Sequence, residues 1–361
     1  MHIIPVLYFG TTKLKKLYSH KWKKKEFFFL SNAISSYQYD FLSNLNKKVL
    51  LRCFFFKKKI NNFNWNFKKT TWYNINKNFF SLLNDIKKNK TNLLIIGGYR
   101  IKFSIIFLIY SRLNKLKLYF WLEKIQNSNK ILFTIKRIYF SIILRLADGI
   151  IAIGSEANTF YKNYNSNVFN LPYSIDVFKF KKKNYKLKKK ITFFFTGQLI
   201  DRKGIIELIE AFIQLPSNDC ILKIAGIGPH KSTIENICLK EKNILYLGFL
   251  SQKELIKNLS TSDVFILPSK HDGWGAVITE AMAAGLPVIG TNYASAFKDL
   301  IIDNYNGKKC DPYSIKSIKN SMTYYIKNKS KIKTQGIKNR KIIINSLCET
   351  RKAVNYLLEK I

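Results

Sequence analysis

Two doubly wound parallel α/β domains joined by a basic linker are the architecture that the sequence predicts, and three observations predict it. Short runs rich in Val, Ile, Leu and Phe alternate with helix-like stretches along the whole chain. Strands buried on both faces of a parallel sheet read in this continuous way, and the intervening helices cover those faces. The alternation breaks at the charged stretch "KFKKKNYKLKKK", 179–190, and restarts beyond it in cleaner form. Finally, 361 residues with 47% hydrophobic content are more than one core usually holds.

In the first half, "EFFFLSNA" reads as a strand and "SSYQYDFLSNLNKK" as the helix after it. "VLLRCFFF", "NLLIIGG", "KLYFWLE", "DGIIAIG" and "VFNLP" follow as short buried strands, with "FSIIFLIYSRLNK" and "KRIYFSIILRLA" at helical spacing between them. In the second half the order is strand "ITFFFTG", helix "KGIIELIEAFIQL", strand "CILKIAGIG", helix "KSTIENICLK", strand "NILYLGF", helix "SQKELIKNLS", strand "DVFILPS", helix "AVITEAMAAG", strand "LPVIGTN". The expected division is a basic, unassigned segment at 1–25, a first domain at 26–178, the linker at 179–190, and a second domain at 191–345. A C-terminal helix within 346–361 is expected to pack back on the first domain.

The formal charge of +40 raises nucleic acid or an anionic membrane as partners. Only 8 of the 62 basic residues are Arg, in a chain crowded with Lys, Asn, Ile, Phe and Tyr, a pattern that AT-rich codon usage produces. The charge is uneven: residues 1–190 carry 38 Lys and Arg against 7 Asp and Glu, and residues 191–361 carry 24 against 15. "KWKKKEFFF" and "FFFKKKINNFNWNFKK" mix cations with aromatics but match no nucleic-acid module, so no specific nucleic acid is expected. A basic face resting on acidic phospholipid is the more economical reading.

Five scattered cysteines, 53, 220, 238, 310 and 348, with no C-x-x-C pair, fit a reducing compartment and no structural zinc. No apolar run reaches 18 residues, and "MHIIPVLYFG" has neither a basic leader nor a cleavage site. The expected location is cytoplasmic, on the inner face of a membrane if peripheral.

Ligands of open α/β sheets bind at the carboxyl ends of the strands, so the strand-end loops of the second domain hold the candidates. "TGQLIDRKG", 196–204, places Gly197 and Gln198 at a strand end and Arg202 and Lys203 just before a helix N-terminus. Two cations beside free helix amides suit a diphosphate; a solvated loop with charges at random is the plain alternative. "AGIGP", 225–229, offers Gly226 for close backbone approach. "HDGWGAVITEAMAAG", 271–285, sets Asp272 in a glycine turn and Glu280 eight positions on, in a helix read as starting near Trp274. One carboxylate at the loop and one on the helix can reach one ligand, and paired sugar hydroxyls suit such acceptors.

The stretch "PSKHDGWGAVITEAMAAGLPVI" resembles the signature of the retaining, nucleotide-sugar-dependent glycosyltransferases of family 4, which have the GT-B fold. "TGQLIDRKG", "AGIGP", "YLGFL" and "SDVFILPS" recur in that family's order, so the resemblance covers about residues 190–315. It reaches more weakly to "NLLIIGGYR", "LYFWLEK" and "ADGIIAIGSEA" in the first half. It implies two Rossmann-like domains facing across a cleft, and a transferase moving a sugar from a nucleotide-sugar donor to a lipid- or glycan-linked hydroxyl. The setting implied is cell-envelope polysaccharide or glycolipid biosynthesis. By that resemblance Glu280 binds the donor ribose, Asp272 holds the transferred sugar, and the backbone of Gly273, Trp274, Gly275, Ala276 and Val277 lines sugar and phosphate. Arg202 and Lys203 carry the diphosphate, with Gly197, Gln198 and Gly226 beside it, and Phe249 approaches the base. No cofactor and no metal are implied.

The chain departs from the family at three places. Asp272 stands where Glu is usual, and Gln198 where a basic residue often follows the glycine. No histidine occupies the first-domain catalytic position, since the four are 2, 20, 230 and 271; Glu123 of "FWLEK" stands at the matching strand end. An inactive binding scaffold of the same fold, a nucleic-acid-binding protein using the basic half, and a related epimerase or sugar-phosphate synthase are the alternatives.

Overall fold

In the computed structural model the described residues are 25–32, 34–55, 73–75, 79–88, 91–98, 101–125, 138, 140–180 and 189–361. They form two compact units, residues up to Ser174 together with Thr350–Ile361, and Ile175–Glu349. Of the lysine clusters at 13–25, 57–59, 68–69 and 87–90, all but Lys25, Lys87 and Lys88 lie outside the described residues, as does most of the 179–190 linker.

Among its described residues the first unit has seven parallel strands: β1 (Glu26–Ser31), β2 (Leu50–Phe55), β3 (Tyr73–Ile75), β4 (Leu93–Gly97), β5 (Lys117–Leu122), β6 (Gly149–Ala152) and β7 (Val168–Asn170). Their spatial order is β3-β2-β1-β4-β5-β6-β7, with Phe28 of β1 level with Arg52 and Leu94 on its two neighbours. Right-handed crossovers then assign each helix to a face. The steps from β3 through β7 all run one way across the sheet. They therefore put α2 (Phe79–Lys88), α3 (Ile101–Leu113), the helical residues 140–146 and α4 (Ser155–Tyr161) on one face. The core beneath them agrees, since Leu82, Ile86, Phe107, Ile143, Leu144 and Tyr161 pack on Phe28, Leu94, Phe120 and Ile150. The steps from β1 to β3 run the other way, and α1 (Ser36–Asn46) covers the opposite face, Phe41 against Trp121 with ring centroids 5.0 Å apart.

Among its described residues the second unit has six parallel strands: β8 (Ile191–Thr196), β9 (Cys220–Ala225), β10 (Ile244–Tyr246), β11 (Val264–Leu267), β12 (Val288–Gly290) and β13 (Gly307–Lys309). The order is β10-β9-β8-β11-β12-β13, the doubly wound order in which chain direction reverses between β8 and β11. Phe193, Phe194, Phe195 and all of β11 are buried, as strands covered on both faces must be. The helices are α5 (Ile205–Ile213), α6 (Lys231–Lys240), α7 (Gln252–Thr261), α8 (Ala276–Ala283), α9 (Ser295–Leu300), α10 (Ile315–Lys327) and α11 (Lys329–Asn345). The last helix, α12 (Thr350–Lys360), groups with the first unit.

The five cysteines are free thiols. Burial pushes Cys220 up to about 11 and Cys310 and Cys348 up to about 12, and Cys53 well above its ordinary value, so these four stay protonated at neutral pH. No helix among the described residues is long and apolar enough to cross a membrane.

Candidate functional site

The loops after β8 and β11 leave neighbouring strands at the reversal point of the second sheet, and they are fastened to each other. Lys270 N–H donates to Arg202 O at 2.9 Å, and Arg202 Nη1 donates to His271 O at 2.5 Å. Gly204 makes the fit possible. It is left-handed, with φ of +67°, and a Cβ there would lie 2.2 Å from Pro268 O. Only glycine takes that backbone and that contact together.

This packing delivers the charges. Lys203 is buried, and its Nζ donates to Asp272 Oδ2; Arg202 Nη1 stands 3.9 Å from Asp272 Oδ1 and is more exposed. A buried ammonium needs such a partner, because desolvation outweighs anything weaker. Asp272 is held in turn by its backbone, its N–H donating to Tyr293 O at 2.9 Å. One carboxylate thus faces two cations, the more open of which is Arg202.

Behind Asp272 the chain turns through Gly275, whose φ is +84°, into α8, and no side chain caps that helix. The helix begins at Ala276 rather than near Trp274, because the left-handed Gly275 ends the extended run that pairs Asp272 with Ala294. The Trp274 indole is in the core, and its carbonyl accepts from Ala296 N–H at 2.8 Å. The first amides of α8 carry the positive end of the helix dipole. Gly273, Ala276 and Val277 are half-buried around them, and Glu280 is buried one turn further along.

The other residues expected from the sequence fall in two places. Gly197, Gln198 and Gly226 share a second loop contact: a Cβ on Gly226 would meet Gly197 O at 1.8 Å, so this glycine serves loop-on-loop packing. Gln198 is half-buried there, and Phe249 follows β10 with its ring partly exposed. Glu123 belongs to the first unit, just after β5, where its carbonyl accepts from the Tyr161 hydroxyl at 2.7 Å. Sequence reasoning missed one pair beside the site. Lys270 Nζ donates to Glu207 Oε1 on the first turn of α5 and lies 5.7 Å from the Tyr313 ring centroid. Glu207 and Lys270 are 63 positions apart in the chain, and nothing local marks either. Among the described residues no group of three or more His, Cys, Asp or Glu is arranged to hold a metal.

Residues 176–343, nearly all of this unit, match the family model described as "Glycosyl transferases group 1". The second unit is a group 1 glycosyl transferase domain. An uncharacterized glycosyltransferase of Methanocaldococcus jannaschii is 26% identical over 241 residues, 63% of this chain and 61% of its own length. The capsular polysaccharide biosynthesis glycosyltransferase CapM of Staphylococcus aureus is 30% identical over 158 residues, 42% of this chain and 40% of its own. The chain spans about 30 to 61% of the length of the curated relatives it matches first. Among solved structures, Anabaena HepE in complex with UDP superposes with a TM-score of 0.73 at 15% identity, covering 93% of this chain and 100% of its own. The group 1 domain is therefore the second half of a two-domain GT-B fold.

Proposed function

We propose that the chain transfers a sugar from a nucleotide-sugar donor to a hydroxyl of a lipid- or glycan-linked acceptor. Anomeric configuration is retained, as in the family 4 enzymes that the signature resembles. The observation that carries this reading is the arrangement at the strand reversal: Lys203 and Arg202 on Asp272, under the uncapped N-terminus of α8, with Glu280 buried on that helix. An anionic, hydroxyl-rich ligand uses every one of these groups. The diphosphate takes the two cations and the helix amides. Asp272, relieved of part of its ion pair, accepts from the sugar hydroxyls, and Glu280 from the ribose.

In the reaction the bond between the sugar's anomeric carbon and the diphosphate oxygen breaks, and the acceptor oxygen bonds to that carbon on the same face. The acceptor proton passes to the departing diphosphate. Negative charge grows on the diphosphate as the bond breaks, and Arg202, Lys203 and the α8 amides offset it in fixed positions. In this reading these groups supply the charge stabilisation without a divalent ion. Glu123 of the first unit is the candidate for a carboxylate that meets the acceptor or the transferred sugar. The CapM relative favours a place in envelope polysaccharide or glycolipid synthesis, and a lipid-linked acceptor sets the chain on the cytoplasmic surface of a membrane.

A thermal-shift screen against nucleotide sugars and their nucleoside diphosphates tests the reading. A ligand that binds only the folded chain raises its melting temperature. A rise with one nucleotide family, lost on replacing Arg202 and Lys203 with Ala, is expected. No shift with any member of a broad panel would sink it.

A further inference from the structure

The helical face of the first unit ends in an apolar surface that nothing in the donor chemistry uses. On α3 the inward side is buried at Ser104, Phe107, Leu108 and Ser111, as an amphipathic helix requires. The outward side is not polar. Ile105, Ile106, Ile109 and Leu113 are exposed, Leu113 to 79%. The neighbouring helical stretch repeats the arrangement, burying Phe140, Ile143 and Leu144 and exposing Ile138, Ile142 and Leu146, the first to 60%. Residues 105, 109 and 113, with Ile106 three before Ile109, and residues 138, 142 and 146 recur at helical spacing, so each set forms a stripe along its helix.

The stripes lie side by side. Successive crossovers from β4 to β5 and from β5 to β6 place the two helices as neighbours on one face of the sheet. Their C-terminal ends are tied together, Arg112 Nη2 donating to Leu146 O. Seven aliphatic side chains therefore share one surface, and an apolar patch of this kind marks an interaction site rather than ordinary exposure.

The rim identifies the partner. The helices of this layer all run against the strands, so their last turns share one edge. That edge carries exposed Lys87 and Lys88 of α2, Arg112 and Lys115 at the end of α3, and Arg145. Asp148, 3.7 Å from Arg112, offsets one of the five charges. A second copy of the chain meeting this face about a two-fold axis along the helices would bring like-charged rims together. A bilayer of acidic phospholipid offers apolar depth for the stripes and negative headgroups for the rim.

We propose that the paired stripes of α3 and of Ile138 with residues 140–146, with their cationic edge, are the surface on which this chain docks to an anionic bilayer. The inference rests on the membrane-surface reading above and states which face makes the contact. Isoleucines 106, 109 and 142 insert among the acyl chains near the headgroups, and the edge cations sit at headgroup level.

The test is flotation of the full chain with vesicles of phosphatidylglycerol and phosphatidylcholine, and with phosphatidylcholine alone, at low and high salt. A triple variant, Ile106→Gln, Ile109→Gln and Ile142→Gln, alters only exposed side chains and leaves the donor loops intact. The parent is expected to float with the anionic vesicles and to keep part of that binding at high salt, because apolar insertion is not screened. The variant is expected to bind about tenfold or more weakly, given what each apolar group contributes at an interface, with its thermal shift by nucleotide unchanged. A parent that floats with no vesicles overturns the membrane reading altogether. A variant that floats as well as the parent overturns this face alone. A concentration-dependent dimer in the parent, absent from the variant, assigns the face to self-association and overturns the bilayer as its partner.

Discussion

The helix that follows the first strand begins differently in the two units. In the first unit α1 is closed by its own side chains: Gln38 N–H donates to Ser35 Oγ at 3.4 Å, and Ser35 N–H donates to Gln38 Oε1 at 3.1 Å. In the second unit α5 starts at left-handed Gly204, and α8, across the strand reversal, starts at left-handed Gly275; no side chain caps either. A capping box uses the amides that an anion would take. Strand order alone therefore does not mark a phosphate site. In the function proposed above, the state of the helix N-termini at the reversal point marks it, together with the cations brought to them.

The comparison breaks most severely at the cations. Replacing Arg202 and Lys203 together with Ala is expected to cut turnover about 100- to 1000-fold, and donor affinity by less, since the charge they meet grows in the transition state. Initial rates at saturating donor, set beside donor affinity, measure the split. Parental turnover would move the phosphate site to another loop. Gly204→Ala tests the fastening itself. With φ at +67° and Pro268 O in the way, a destabilisation of about 2–4 kcal/mol is expected from strain and forced displacement. Denaturant melting reads it, and an unchanged midpoint would show that the two loops are not held as described.

Two smaller effects sharpen the contrast. Glu280→Ala is expected to weaken donor binding by about 1.5–3 kcal/mol through lost charge-assisted hydrogen bonds. Calorimetric titration with the nucleotide found in the screen reads this, and undiminished affinity would remove Glu280 from the ribose. Ser35→Ala removes the cap of α1 and is expected to lower stability by about 1 kcal/mol. Donor affinity should not change. If it fell, the capped and uncapped helices would not be separate devices.

What the sequence showed follows from how local each feature is. "PSKHDGWGAVITEAMAAGLPVI" compresses turn, carboxylates, helix and next strand into one window, so Asp272 and Glu280 could be named directly. The Lys203 pair with Asp272 spans 69 positions and depends on Gly204 meeting Pro268, which no window contains. Short edge strands escaped for another reason. β3 reads "YNI" among Asn and Lys, and β13 reads "GKK", so neither shows an apolar run. Helix α2 was hidden because Asn84 and Asp85 interrupt its apolar positions, although Leu82 and Ile86 are buried. The exposed stripe of α3 was read only as helical spacing, because periodicity cannot say which apolar side stays outside.

The position of α12 bears on how the chain is made. It packs in the first unit against α1, where Lys48 Nζ donates to Asn355 Oδ1 and the Phe169 and Tyr356 rings lie 5.9 Å apart. Val354, Leu357 and Leu358 are buried there. During synthesis the strands of the first unit emerge well before these residues exist. The described part of the group 1 domain beyond Ile175 is one continuous segment ending at Glu349, whereas the first unit is assembled from two segments that this domain separates. The first half to be translated therefore cannot close until Thr350–Lys360 has also been made, and until then the surface that α12 will cover stands open to chaperones or to a neighbouring nascent chain.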